Sequence, residues 1–539
     1  MINLLLLGSL VIIACILCNR ISNRFGVPML LAFIVLGMIF GSEGIFQIHF
    51  DNFRFAESVC TVALIFIMFY GGFGTRWKAA KPTAVKALLM SSLGTIMTAM
   101  LTGLFCHLVL GFSLLEGLLT GAVLGSTDAA SVFSVLRSQK LSLKHHTDSL
   151  LELESGSNDP FAYMLTLILL SAIQSSTVGV LTAASLAQQV LVTSFSQIFF
   201  GLLCGFGLAW CAKWFLEHFT FETNGFDTAF ILAAALLSYA LPTVVGGNGY
   251  LSAYLMGILL GNSHMPNKKA MVNFFDGLTS LMQMLIFFIL GLLSYPSRIA
   301  AVWFPALLIA LFLTLAARPV AAMLLLTPFH APKNQQLLIS WSGLRGAASI
   351  VFAIMVVLGD IPLQHDLFHI VLCVVLLSIT IQGTLLPWFS RRVDMLDQSG
   401  NILTTFNDYT EETDIRFIDI PVRKNHPWIG LSVKELRLPP ETLLVFLRRG
   451  NERLVPNGNT TILENDTLVL GASAYTGEDD IHLTEIRINH LHPWCTKAVS
   501  QLTLPKNSLI IMIRRGEENL IPNGQTKILA GDMIVLNTI

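Results

Sequence analysis

Charge is scarce in this chain. Lys, Arg, Asp and Glu together supply only 12% of the 539 residues, against 54% hydrophobic residues. That share is about half what a soluble globular chain carries, which argues against a water-soluble protein and for a polytopic membrane protein. Net charge is equally small, at −1, and gives no reason to expect nucleic acid as a partner. Cysteine is rare too: of eight, seven lie in or beside apolar segments and only Cys495 lies in the polar C-terminal region. Neither a disulfide framework nor a zinc cluster is therefore indicated, and Cys15-x-x-Cys18 reads as small apolar packing. The N-terminus lacks a basic leader and a cleavage site, so residues 2–19 read as a retained helix. The C-terminal region has no G-x-G-x-x-G after a strand, which argues against a nucleotide-binding half and an NAD site.

What charge there is lies unevenly. Of the 67 Lys, Arg, Asp and Glu residues, 31 follow Gly400, leaving 36 for the first 400 positions. This marks a membrane domain over 1–392, a linker over 393–410 and a soluble tail. Apolar stretches long enough to span a bilayer fall near 2–19, 27–42, 56–74, 83–109, 113–137, 146–174, 186–216, 226–245, 249–262, 270–293, 298–326, 334–360 and 365–390. Thirteen spans place Arg20, Arg24, Arg76, Lys78, Lys81, Lys86, Arg137, Lys140, Lys144, Lys213, Lys268, Lys269, Lys333, Arg391 and Arg392 on one side, and only Arg54 and Arg298 on the other. By the positive-inside rule, the N-terminus is outside and the tail is in the cytoplasm.

Two spans interrupt their own apolar pattern. Gly125-Ser126-Thr127-Asp128-Ala129-Ala130-Ser131 in the fifth and Gly343-Leu344-Arg345-Gly346-Ala347-Ala348-Ser349 in the twelfth both put a charge among small residues in mid-membrane. They are seven spans apart, hence oppositely directed, as in an inverted repeat of broken helices whose freed carbonyls and half-helix ends bind ions. Such stretches also serve as packing faces; the embedded Asp128 and Arg345 favour broken helices. Arg345 balances either Asp128 or the half-helix carbonyl ends.

The most polar interruption is Glu154-Ser155-Gly156-Ser157-Asn158-Asp159-Pro160. If 146–174 is one helix, Asp159 lies about 20 Å from its cytoplasmic end. Ser155 and Asp159 share a face, as do Glu154 and Asn158, whereas Glu154 and Asp159 stand about 140° apart. The two acids therefore have different jobs. Pro160 has no N–H for Gly156, which loosens the helix there. An empty, charged carboxylate at this depth is costly, and a proton or a metal cation can each neutralise it. Mutually exclusive occupancy of that kind is the physical basis of exchange. Asp159 is the candidate carrier, with Ser155, Thr127 and Asp128 as further oxygen ligands. Glu154 needs a cation of its own, and Arg318, embedded in Ala316-Ala317-Arg318-Pro319, suits it. A structural polar network is the alternative role, chiefly for Glu154 with Arg318. His145 and His146, at the start of the sixth span, read as a polar flank or a pH sensor.

Thr127-Asp128, Glu154 with Asn158-Asp159, Arg318 and Gly343-Leu344-Arg345-Gly346 together resemble the cation/proton antiporter-1 family, which includes the bacterial NhaP-type and animal sodium/proton exchangers. The resemblance implies an all-α domain of thirteen helices with two broken helices, a homodimer with a core domain moving against a dimerisation domain, and Asp159 as the carrier. It implies the Glu154–Arg318 pair as well. An Asn-Asp pair resembles the electroneutral branch, with Asn158 orienting the site without titrating.

The tail holds a second repeat. His426-Pro427-Trp428 recurs as His492-Pro493-Trp494, Arg448-Arg449-Gly450 as Arg514-Arg515-Gly516, Pro456-Asn457-Gly458 as Pro522-Asn523-Gly524 and Asp466 as Asp532, always 66 residues on. Alternating strands from Thr442 to Leu447 and Asp466 to Leu470 give each unit, 411–472 and 473–539, the pattern of a small α+β module. Glu478-Asp479-Asp480 forms a polar linker between them. The units resemble the C-terminal subdomain of RCK proteins, also called TrkA-C, which regulates potassium systems. That implies a regulatory tail, with an unidentified nucleotide or small ligand as a possible effector. Arg448, Arg449, Arg514 and Arg515 are its candidate contacts, or else solvated hairpin arginines. The expected protein is no enzyme: it is an inner-membrane antiporter in contact with membrane lipids, exchanging cytoplasmic potassium, or sodium, for external protons. A sodium/proton exchanger with a structural tail and a gated cation channel are the alternatives.

Overall fold

A computed structural model describes residues 8–17, 28–138, 141–177, 182–219, 225–263, 265, 267–397, 415–424, 426–439, 442–450, 452–473, 482–490, 492–502, 504, 508–515, 518–520 and 522–538. Arg20, Arg24, Lys140, Gly516, most of the 393–410 linker and Glu478-Asp479-Asp480 lie outside the described residues. The chain divides into two units, Met1–Glu411 and Glu412–Ile539.

The first unit is helical. It opens with α1 (Gly8–Leu17), α2 (Met29–Phe40), α3 (Phe53–Gly74) and the long α4 (Trp77–Leu110). Next come α5 (Leu114–Val123), α6 (Ala129–Ser138), α7 (Thr147–Thr177), α8 (Ala183–His218) and α9 (Phe226–Val244). The unit closes with α10 (Gly249–Gly261), α11 (Lys268–Leu293), α12 (Pro296–Phe329), α13 (Lys333–Trp341), α14 (Ala347–Leu358) and α15 (Leu367–Arg392). Among the described residues, seven of these helices are long and apolar enough to cross a membrane: α3, α4, α8, α9, α11, α12 and α15. Helix α7 is long enough but carries Asp148, Glu152, Glu154 and Asp159, so it is stable in an apolar setting only with polar partners.

Helix neighbours fall into two groups. Helices α2, α3, α8, α9, α10 and α11 pack chiefly on one another, α4, α5, α7, α12 and α15 form the other set, and α14 joins the two, packing on α3 as well as on α15. Small residues allow the closest approaches: a side chain on Gly37 of α2 would strike the Phe288 carbonyl of α11. This is the small-residue contact by which membrane helices gain packing without a hydrophobic drive.

Two breaks define the second group. Helix α5, capped by the Ser113 hydroxyl, stops at Val123, and α6 begins at Ala129. Helix α13 stops at Trp341 and α14 begins at Ala347. The breaks meet backbone to backbone, the Asp128 N–H donating to the Leu344 carbonyl at 2.8 Å. Gly346 is required there, because any side chain would collide with the Asp128 carboxylate. Wide π-turns interrupt α12 at Leu313–Ala317, just before Arg318, and α15 at Ser378–Gly383. Such bulges occur often at functional sites because they re-aim the residues around them.

The second unit is two copies of one antiparallel sheet. The first has β1 (Ile415–Pro421), β2 (Thr442–Arg449), β3 (Glu452–Leu454) and β4 (Asp466–Ser473) in the order β1-β4-β2-β3. The second has β5 (His482–Arg487), β6 (Ser508–Arg515), β7 (Glu518–Leu520) and β8 (Met533–Thr538) in the order β5-β8-β6-β7. Even the β-bulge repeats, between Leu444 and Phe446 and between Ile510 and Met512. The expected α+β character reduces to one 3-10 turn per module among the described residues, Val433–Glu435 and Val499–Gln501. In the first module, Pro439-Pro440 follows closely and bars helical continuation.

Candidate cation site

Helix α7 runs through Pro160 without a break, and the Pro160 carbonyl accepts from Asn248 Nδ2 at 2.8 Å. On one face of α7, Arg318 Nη2 donates to Glu154 Oε1 at 2.5 Å, with side chains only 3% and 1% exposed. About 140° around the axis, Asp159 is buried and accepts a hydrogen bond from the Ser126 hydroxyl in the α5–α6 break. Asn158 engages Thr127 at both ends of its amide: Oδ1 accepts from the Thr127 N–H at 3.3 Å and Nδ2 donates to Thr127 Oγ1 at 2.5 Å. The Ser155 hydroxyl donates to the Thr127 carbonyl at 2.5 Å. The unwound segment is thus held against α7 by side chains that α7 itself supplies.

The charges at the breaks have clear partners. Ser131 donates to Asp128 through its N–H at 3.2 Å and its hydroxyl at 2.5 Å. Asp128 therefore caps the N-terminus of α6, where a carboxylate is favoured by the orphan N–H groups and the helix dipole. Arg345 Nη1 donates to the Gly125 and Ser126 carbonyls at 3.0 and 2.8 Å, the carbonyl ends left by the first break. Its own N–H donates to the Ser378 hydroxyl in the second π-turn. His145 and His146 are exposed in a turn with positive φ, and the His145 carbonyl accepts from Gln335.

Asp159 faces a cavity of about 350 Å³ shared with Ser126, Thr127, Asp128 and Ser155. Its wall also holds Glu152, Asp276, Thr279, Ser280 and Gln283, which sequence reasoning missed. A signal was present: 276, 279, 280 and 283 follow the i, i+3, i+4, i+7 spacing of one helix face.

In the tail, Arg449 Nε and Nη2 grip the two oxygens of Asp466 at 2.9 and 2.8 Å, and Nη2 also reaches the Thr461 carbonyl. Arg515 repeats this with Asp532 and the Lys527 carbonyl. Burial alone would raise the Asp466 carboxyl, but the Arg449 fork and the Leu463 N–H hold it below the usual range, and Asp532 behaves likewise with Arg515 and Leu529. Arg449 and Arg515 thus already close their own modules, while Arg448 and Arg514 are exposed.

A buried carboxylate facing a polar cavity beside two paired helix breaks defines a secondary ion transporter. Sequence comparison gives its kind: residues 9–392 match the transmembrane sodium/hydrogen exchanger family, and residues 417–474 and 483–536 match TrkA-C domains. The chain belongs to the sodium/hydrogen exchanger family. It is 33% identical over 472 residues to the K(+)/H(+) antiporter NhaP of Alkalimonas amylolytica, covering 87% of this chain and 81% of that protein. It is also 33% identical over 470 residues to the K(+)/H(+) antiporter NhaP2 of Shewanella oneidensis, covering 86% and 80%. Among solved structures, the sodium proton antiporter MjNhaP1 from Methanocaldococcus jannaschii at pH 8 shares the fold, with a TM-score of 0.64 and 22% identity over 73% of this chain and 99% of that one.

Proposed function

We propose that the protein exchanges one cytoplasmic potassium ion, or less readily sodium, for one external proton, with Asp159 as the shared carrier. The observation that carries this reading is the division of labour among the buried acids. Glu154 is paired to Arg318 and Asp128 caps α6, whereas Asp159 faces the cavity with a neutral serine hydroxyl as its donor. Leaving the Asp159 charge bare costs more than filling the site with either a proton or a cation. Asn158, engaged with Thr127 at both ends, adds no second titrating carboxylate, which favours electroneutral exchange. Thr127, Asp128 and Ser155 supply further oxygens, and Arg345 offsets the carbonyl ends of the first break.

Potassium is preferred because relatives at 33% identity are named K(+)/H(+) antiporters and because the tail is TrkA-C. Counting α5 with α6 and α13 with α14 as one span each gives thirteen spans, with the N-terminus outside and the tail in the cytoplasm of the inner membrane. The two helix groups act as a moving core and a dimerisation scaffold in a homodimer, and the tail regulates exchange. Cation-induced dequenching of a pH dye in proteoliposomes, with potassium and sodium compared, tests the reading. Proton movement with potassium, insensitive to imposed voltage, is expected. No proton movement with either cation removes the antiporter, and voltage dependence removes electroneutrality.

A further inference from the structure

The cavity has a second polar station, away from Asp159. On α7, residues 152, 155, 156 and 159 line it, and on α11, residues 276, 279, 280 and 283 do so. Both runs follow i, i+3, i+4, i+7, so each is one helix face about 10 Å long by helical rise. The acidic ends coincide: Glu152 lies toward the α7 end near Lys144, and Asp276 toward the α11 end bearing Lys268 and Lys269. Their hydroxyl donors, Thr75 and Tyr70, sit at the C-terminal end of α3, so both carboxylates stand at one end of the cavity, with Asp159 about two turns further along α7. Each carboxylate is positioned by a neutral hydroxyl, Thr75 donating to Glu152 Oε1 at 3.0 Å and Tyr70 donating to Asp276 Oδ1 at 3.0 Å. Among the described residues, Asp276 forms no ion pair.

A second observation points to a ligand. Thr279, one turn above Asp276, is only 8% exposed, and its hydroxyl has no hydrogen-bond partner although it lines the cavity. Thr98, Thr102, Thr120 and Thr166, all buried in helices, satisfy their hydroxyls on the carbonyl four residues back. Thr279 does not, so an oxygen ligand is left facing the cavity beside two carboxylates. Hard oxygen donors of this kind suit alkali cations.

We propose that Glu152, Asp276 and Thr279 form a staging site that takes up the cytoplasmic monovalent cation before it reaches Asp159. The proposal rests on the exchange reading above and adds to it an affinity-determining site at the entrance. Carboxylates lining a narrow polar mouth concentrate cations by focusing the field, which speeds capture without altering the exchanging group. The site works on the apparent KM for the cation and leaves the saturated rate to Asp159.

The experiment is a cation titration of dye dequenching in proteoliposomes for D276N, E152Q/D276N, T279V and wild type, with D159N in parallel. Asp276 is exposed, so D276N keeps its fold whatever happens to the buried Glu152. The expected result is a KM raised about fivefold in D276N and about tenfold or more in the double variant, a smaller rise in T279V, and saturated rates within about twofold. D276E should restore the wild-type KM. An unchanged KM in D276N and the double variant, or a lost saturated rate at unchanged KM, overturns the staging site. Exchange persisting in D159N would instead remove the carrier assignment, and the KM comparison would still decide the mouth site.

Discussion

Replacing Glu154 with Gln leaves the Arg318 guanidinium buried without its counter-charge. The pair is held at 2.5 Å with both side chains almost wholly enclosed, and Arg318 and Arg345 line the same small cavity with Ser340, Gly343, Ser378 and Gln382. Removing one member of a buried pair costs about 3–5 kcal/mol. With an unfolding entropy of about 2.1 cal/mol/K per residue over the first unit, Met1–Glu411, that loss lowers the melting midpoint by about 5 °C. The same ledger makes R318Q equally costly. In E154R/R318E the charges exchange places and part of the loss returns. Heating detergent-solubilised full-length protein and following the folded fraction by size-exclusion chromatography reads the three midpoints directly. A midpoint for E154Q within about 1 °C of wild type would show that Arg318 does not need Glu154 as its counter-charge. So would a double variant no better than either single.

D159N should abolish cation-driven proton movement while the protein still inserts, and retained exchange above about a tenth of wild type would sink its role as carrier. Asp466 sets the acid sensitivity of the first tail module. Because its carboxyl is held below the usual range when folded, it contributes stability that is fully present above the ordinary carboxylate pKa of about 4 and is lost as pH falls through the depressed folded value. Pulses of an acid protease on the full chain across pH 3–6 should cut the wild-type tail only at the acid end. D466N should be cut more readily at every pH, with a flattened profile; an unchanged profile argues against the assignment. Truncation after Arg392 should change the pH or ligand dependence of exchange while sparing it, and complete loss in a protein that still inserts would make the tail obligatory.

Position around a helix carried the most information in the sequence. Five residues of spacing separate Glu154 from Asp159, and that alone sends the two acids to different faces, one to Arg318 and one to the cavity. The 66-residue offset in the tail likewise carries over to strands, bulges and the Arg449–Asp466 and Arg515–Asp532 pairs. Other features depend on which residues meet across the chain, and local pattern does not encode them. Asp128 reads in the sequence as an oxygen ligand, but its place just before a restarted helix also makes it a cap, with Ser131 donating to both carboxylate oxygens. Arg449 and Arg515 looked available to a ligand until the closing strand brought an aspartate to each. The polar face of α11 escapes notice because Asp276, Thr279, Ser280 and Gln283, scattered with other polar residues in a 26-residue largely apolar helix, read as ordinary variation. The π-turns before Arg318 and around Ser378 leave no compositional trace at all.

The bond from the Asp128 N–H to the Leu344 carbonyl joins the two breaks through main-chain atoms alone. Peptide groups survive any substitution except proline, so this bond itself does not depend on the side chains around it, although Arg345, Ser155 and Asn158 brace the first break through theirs. Position 346 is the exception, since it must stay bare. For protein engineering this separates framework from lining: the Ser126 hydroxyl is open to libraries aimed at a new ion preference, while Thr127 and Ser155, which tie the break to α7, and 344 to 346 are best left alone.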